Sequence, residues 1–177
     1  MRCRPGILLG LAIFMSVCTT ETEDGSAASS VSATKLAYAF DFNALETLTP
    51  FTPFDPLIHC QSEFTVVLYF SELSCTTCTD ESLVYLAEWH EALADKVDFL
   101  LVVQGQDPLY LNNLRRLGRV KYPILLESEP GTLGLPETAV LLVRKGDSEP
   151  VWGFHPVPGG ENRRNAERFL ARLHELI

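Results

Sequence analysis

Seven consecutive residues, Phe64-Thr65-Val66-Val67-Leu68-Tyr69-Phe70, form a nearly unbroken apolar and β-branched run. A strand with one wet face alternates polar and apolar residues. An unbroken run of this length is the mark of a central strand covered on both faces. Such a strand needs a layer above and a layer below, which excludes a simple hairpin stack. A second run, Val97 to Val103, reads the same way. Between them, after a short turn at Glu72 to Ser74, Leu83, Leu86, Ala87, His90 and Leu93 recur at helical spacing, which predicts a helix from about Cys75 to Ala94.

The rest of the chain continues the pattern. Asp107-Pro108 is a cap followed by the proline favoured at the first helical position, and that helix runs to about Leu117 before Gly118 stops it. Tyr122 to Leu126 is a short strand. Thr138 to Val143 and Val151 to Phe154 flank Lys145-Gly146-Asp147 as an antiparallel hairpin. The last helix, about Glu161 to Leu176, aligns Ala166, Phe169, Leu170, Leu173 and Leu176. Upstream, Leu36 to Phe42 alternates as an edge strand. The stretch from Asn43 to Glu63, with Pro50, Pro53 and Pro56, is an irregular lead-in with room for one short helix. Strand–helix–strand units demand right-handed crossovers and a parallel core, to which the hairpin adds antiparallel strands. The expected fold is α/β, a central mixed β-sheet with helices on both faces.

The N-terminus bears on compartment. Arg2 and Arg4 precede an eleven-residue apolar run, Ile7 to Val17. A bilayer span needs about 20 apolar residues, so this run has the length of a secretory signal. It closes at Met15-Ser16-Val17-Cys18, which resembles a bacterial lipobox and makes Cys18 the candidate lipidation site; the rival is cleavage further on, after Val31-Ser32-Ala33. The next sixteen residues, Thr19 to Thr34, are Thr, Ser, Ala, Glu, Asp and Gly with a single Val, too polar to bury a core. The expected organisation is a signal peptide at 1–17, a flexible tether at 18–34 and one folded domain at 35–177. The product would be exported to the periplasm or cell envelope and anchored through Cys18. Residues 35–177 carry 12 basic and 20 acidic side chains, and the whole chain has a net charge of −9. That balance argues against nucleic acid as a partner, since phosphate binding needs clustered Lys and Arg.

The chemistry concentrates at Cys75-Thr76-Thr77-Cys78, where the central strand gives way to a helix. Two thiols three residues apart in a first helical turn are close enough to form a disulfide with little backbone motion. The first faces the positive end of the helix dipole, which favours its thiolate. Cys75 is therefore the candidate nucleophile and Cys78 the resolving thiol for disulfide exchange. A C-x-x-C alone is a weak signal, but at a strand-to-helix junction in this topology it is a strong one.

Here the chain resembles the thioredoxin-like superfamily, and within it the exported TlpA-like branch of membrane-tethered thiol–disulfide oxidoreductases. The resemblance covers about residues 64–177. It rests on the strand–CTTC–helix junction, on Glu81 three residues after the second Cys, on Tyr122-Pro123-Ile124-Leu125-Leu126-Glu127, and on Gly134-Leu135-Pro136-Glu137-Thr138-Ala139-Val140. It implies that Pro136 is cis, opens a strand and shapes a substrate groove with Leu135, Thr76 and Thr77. A cis bond is nearly confined to X-Pro, and a strand's first residue tolerates a missing N–H. The resemblance also implies that Glu81 relays the proton of Cys78; the other reading is an acid in the first helical turn offsetting the dipole. The implied partners are a disulfide-containing protein substrate and, if the protein is a reductant, a membrane thiol reductase as electron donor. No cofactor is implied. The chain departs from the family in Ser74 where a Trp is usual, in Leu135 where Thr or Val is common, and in Tyr69 where cytoplasmic thioredoxins hold a buried acid. The Thr-Thr dipeptide leaves the direction of exchange, reduction or oxidation, open.

Of the five cysteines, Cys3 goes with the signal and Cys60 is left over. Cys60 reads as a small buried hydrophobe or as a third redox thiol. With His59, Cys75 and Cys78 it would make a zinc or copper(I) quartet, although adjacent His59 and Cys60 are awkward co-ligands and no metal site is expected. His90 reads as a core histidine, His155 as a loop residue and His174 as a cation at a helix C-terminus. Trp89 and Trp152 read as core or groove aromatics. No nucleotide, dinucleotide or serine-hydrolase fingerprint occurs. Two rivals to the oxidoreductase stand: a metallochaperone of the same fold, and a non-catalytic thioredoxin-like binding module.

Overall fold

The computed structural model describes residues 40, 42–53, 55, 61–71, 76–135 and 137–177. A 3-10 helix (Phe42–Thr47) and a two-residue strand β1 (Thr49–Pro50) lead into β2 (Phe64–Phe70) and α1 (Thr76–Leu93). There follow β3 (Asp98–Gln104), α2 (Pro108–Arg116), β4 (Ile124–Glu127), β5 (Ala139–Arg144), β6 (Trp152–Phe154) and α3 (Gly160–Leu176). The strands form one sheet in the order β1-β4-β3-β2-β5-β6. The β2, β3 and β4 strands are parallel, while β5, β6 and β1 are antiparallel to their neighbours. The apolar run that constrained the fold is β2, and all seven of its residues are buried between β3 and β5.

The N-terminal lead-in departs from its sequence pattern. Phe42 opens the 3-10 helix rather than ending an edge strand, and the edge is β1, paired antiparallel with β4 through Thr49↔Leu126 and Pro50↔Leu125. A proline suits that place, because an edge strand need not donate on its outer side. The lead-in is pinned by Phe51 N–H donating to Ile124 O (2.9 Å) and by Asp55. That buried carboxylate accepts from Thr52 N–H (2.9 Å), from Thr52 Oγ1 (3.0 Å) and from the Arg115 guanidinium of α2. Residues 1–39, including the proposed signal, the tether and Cys18, lie outside the described residues, as do His59 and Cys60.

The α2 helix is bounded as its sequence directs. Asp107 Oδ1 accepts from Leu109 N–H (2.8 Å) at the start. At the end, Gly118 N–H reaches Arg115 O (2.9 Å) and Arg119 N–H reaches Leu114 O (3.0 Å), a Schellman closure that puts Gly118 at φ 69°. Glycine takes this left-handed conformation without a Cβ penalty.

The sheet divides the core in two, because side chains alternate along each strand. On the first face Val66, Leu68, Leu101 and Leu142 meet Leu83 and Leu86 of α1, Leu111 of α2 and Phe169 of α3. Trp89 stacks on Phe169 at 5.2 Å between ring centroids, and Trp152 and Phe154 close round the same ring. On the second face Val67, Tyr69, Val102 and Leu141 meet Leu45 and Leu48 from the lead-in, and Leu133 and Leu135 from the β4–β5 connection. The steps β2→β3→β4 move the same way along the sheet, so two right-handed crossovers place α1 and α2 on one side. The second face falls to the 3-10 helix and to the connection that returns from β4 across β3 and β2 to β5.

Candidate active site at the strand-to-helix junction

The parallel strands β2, β3 and β4 end on the same edge of the sheet, and β5 begins there. Ligand and active sites in open α/β sheets favour the carboxyl ends of the strands. The β2 strand ends at Phe70, and α1 opens at Thr76. Thr76 and Thr77 are exposed, whereas Cys78 is only 3% exposed and Thr79 is buried beside it. The first turn of α1 thus shows two hydroxyls to solvent and turns the second cysteine inward. Ser82 Oγ donates to Cys78 O (2.8 Å), and Gln106 Nε2 donates to Ser71 O (3.3 Å), which joins the β3–α2 loop to the end of β2. Cys75, the proposed Cys75–Cys78 disulfide and Pro136 with its proposed cis bond lie outside the described residues.

Glu81 is the sixth residue of α1, and the first turn of that helix holds no acid, so the dipole-offset reading does not describe it. Its carboxylate is half-buried and accepts at Oε2 from Asn162 Nδ2 of α3 (2.9 Å). Asn162 is fully buried, and its Oδ1 has no hydrogen-bond partner among the described residues. The sequence did carry a signal for Asn162: it lies four residues before Ala166, a polar side chain in line with an apolar helical stripe.

The Leu135 side chain is buried in the second-face core. Just beyond it, the Thr138 carbonyl lies 2.9 Å from His155 Nδ1, and Glu137 Oε1 lies 3.6 Å from the same nitrogen. A carbonyl can only accept, so the proton sits on Nδ1. His155 follows β6 as expected of a loop residue, but it braces the start of β5.

Tyr69 holds the most consequential partner that sequence reasoning missed. Its hydroxyl donates to Glu127 Oε2 at the end of β4 (2.6 Å), where Gln104 Nε2 donates as well (3.2 Å). Glu127 Oε1 accepts from Leu133 N–H (3.0 Å). Burial, and then the bond and charge of Glu127, push the Tyr69 phenol above its ordinary pKa. A buried carboxylate is therefore present on this face, supplied by β4 rather than by β2.

Among the described residues no group of three or more His, Cys, Asp or Glu side chains is placed to hold a metal ion, and no helix is long and apolar enough to cross a membrane. No family model and no curated protein match the sequence. Solved structures do match the fold. One is a secreted disulfide oxidoreductase of Mycobacterium tuberculosis, homologous to DsbE of E. coli. It is 17% identical, with a TM-score of 0.53 over 73% of this chain and 98% of that one. Another is a thioredoxin-like protein in its oxidized form, 15% identical, with a TM-score of 0.50 over 64% of this chain and 79% of that one. The fold is thioredoxin-like.

Proposed function

We propose that the chain is an exported thiol–disulfide oxidoreductase of the TlpA-like kind, which reduces or exchanges disulfides in protein substrates. The observation that carries this reading is the meeting of a C-x-x-C sequence with the first turn of the helix that follows the central strand, in a thioredoxin-like fold. A helix N-terminus stabilises thiolate, and Cys78 is buried in the first turn of α1.

In the reducing direction, Cys75 thiolate attacks one sulfur of the substrate disulfide. A Cys75–substrate bond forms and the other substrate sulfur leaves as thiolate. Cys78 then gives its proton to Glu81 and attacks Cys75 Sγ, which closes Cys75–Cys78 and releases the second substrate thiolate. Two electrons pass to the substrate, and two protons complete its thiols. A membrane thiol reductase restores the dithiol. The reverse sequence oxidises the partner. In this reading residues 1–17 are a signal peptide, 18–34 a tether lipidated at Cys18, and 35–177 the catalytic domain. Thr76, Thr77, Leu135 and a cis Pro136 form the substrate groove.

The test is a redox titration of the Cys75–Cys78 pair, together with the rate of Cys75 alkylation across pH. The expected outcome is reversible exchange with glutathione and a Cys75 thiolate that persists well below pH 8.5, the ordinary thiol range of about 8.5. Alkylation that follows an ordinary thiol, with no exchange, would overturn the reading. Cys75→Ser should abolish exchange without lowering thermal stability.

A further inference from the structure

Glu127 is a carboxylate only 3% exposed, and both of its oxygens are occupied by neutral donors from three separate segments: Tyr69 of β2, Gln104 of β3 and the Leu133 amide. Burying a carboxylate is costly, and an apolar pair at Gln104 and Glu127, which face each other in the β3–β4 register, would fill the same space more cheaply. The position therefore calls for a reason beyond packing, and the segment that Glu127 holds supplies one.

Residues 128–135 form the connection that crosses the second face toward β5. It has no helix or strand of its own and turns through Gly131 (φ 85°) and Gly134 (φ 68°). Its internal bonds are local, such as Thr132 Oγ1 to Glu129 O (2.7 Å) and Gly134 N–H to Gly131 O (3.0 Å). Those bonds shape the turn without tying it to the sheet. The Leu133 amide does tie it, through Glu127, and two residues further on stands Leu135.

We propose that Glu127 is a positioning residue for substrate: by holding the 128–135 connection to the ends of β2 and β3, its carboxylate sets where the Leu135 backbone meets an extended substrate chain. This rests on the redox reading above. Tyr69 is the second part of the anchor, since its hydroxyl fixes the carboxylate against β2.

The experiment uses the full chain with Glu127→Gln and, as a milder change, Tyr69→Phe. Turnover is measured with an oxidised protein substrate and with glutathione disulfide, and hydrogen exchange is followed at the Leu133 amide. Glu127→Gln is expected to raise KM for the protein substrate on the order of tenfold, the cost of losing one charged hydrogen bond. Its kcat and its rate with glutathione disulfide should stay within about twofold, because the small disulfide does not need the groove. Exchange at Leu133 should quicken in both variants, less in Tyr69→Phe. Unchanged KM and unchanged Leu133 protection overturn the inference, as does a loss of kcat with both substrates in step with thermal stability. If the wild type exchanges with neither disulfide, the redox reading fails and takes the inference with it, an outcome distinct from a wild type that exchanges and a Glu127→Gln variant that keeps its KM.

Discussion

Both faces of the sheet bury strand side chains, but they hold their coverings by different physics. On the first face three α-helices supply Leu83, Leu86, Leu111 and Phe169, and the contacts are apolar, with Trp89, Trp152 and Phe154 packed round Phe169. On the second face a 3-10 helix and a turn-rich connection lie over Val67, Tyr69 and Val102, and a buried carboxylate fastens that connection. A regular helix satisfies its own backbone and needs only an apolar stripe to dock. A connection made of turns cannot do so, and it borrows polar anchors from the strands beneath it.

Two buried tyrosines express the contrast. Tyr69 on the second face gives its hydroxyl to Glu127, whereas the Tyr122 hydroxyl on the first face is buried with no hydrogen-bond partner among the described residues. Burial alone lifts the Tyr122 phenol above its ordinary pKa.

The largest effect expected from breaking either face is on the helical one. Phe169→Ala removes the ring at the centre of the aromatic group, and urea unfolding should show a loss of about 3–5 kcal/mol. A loss below about 1 kcal/mol would mean that the first face is not held by this packing. Next come the tyrosines, whose losses should differ in sign. Tyr69→Phe should cost about 1–3 kcal/mol because it removes the shorter of the two hydrogen bonds to a buried carboxylate oxygen and leaves only the Gln104 amide on it, while Tyr122→Phe should be neutral or stabilising by up to about 1 kcal/mol because it removes an unsatisfied hydroxyl. Equal effects from the two would erase the distinction between the faces.

The smallest effect is a pH dependence on the first face. His90 packs edge-on to Phe99 at 5.3 Å and against Tyr122 at 5.4 Å. Burial, and then the Lys121 charge, hold its pKa below the ordinary imidazole value, with Glu91 opposing. The unfolded chain therefore binds that proton more readily than the native one. The stability concerned is present above the ordinary value of about 6.5 and is lost as pH falls through it. Between pH 7.5 and 5.5 the melting temperature of the wild type should fall further than that of His90→Phe. Equal falls would remove His90 from the account.

The helical face was the more legible in sequence. Leu83, Leu86 and Leu93 in α1, and Ala166, Phe169 and Leu173 in α3, repeat at helical spacing, and each is buried against the sheet. The second face was less so, because its coverings have no period: Phe42 reads as strand by alternation yet begins a 3-10 helix, and nothing local marks 128–135 as a bridge over two strands. The site divides likewise. Thr76, Thr77 and Cys78 stand at the head of α1, where the junction between two patterns put them. The Tyr69–Glu127 bond spans 58 residues of sequence and the Asn162–Glu81 bond spans 81, distances at which no periodicity reports a contact.

The sequence by itself determined the kinds of element and their order, the double burial of β2, the caps of α2 and the place of Thr76, Thr77 and Cys78 at the head of the helix that follows β2. Each depends on neighbours within a few residues, through hydrogen-bonding geometry and side-chain period. Only the tertiary structure decided that α1 and α2 share a face, that the return from β4 crosses the other, and that Glu127 meets Tyr69 there. Those outcomes follow from strand order and the right hand of the crossovers, which set the neighbours of each side chain across the sheet rather than along the chain.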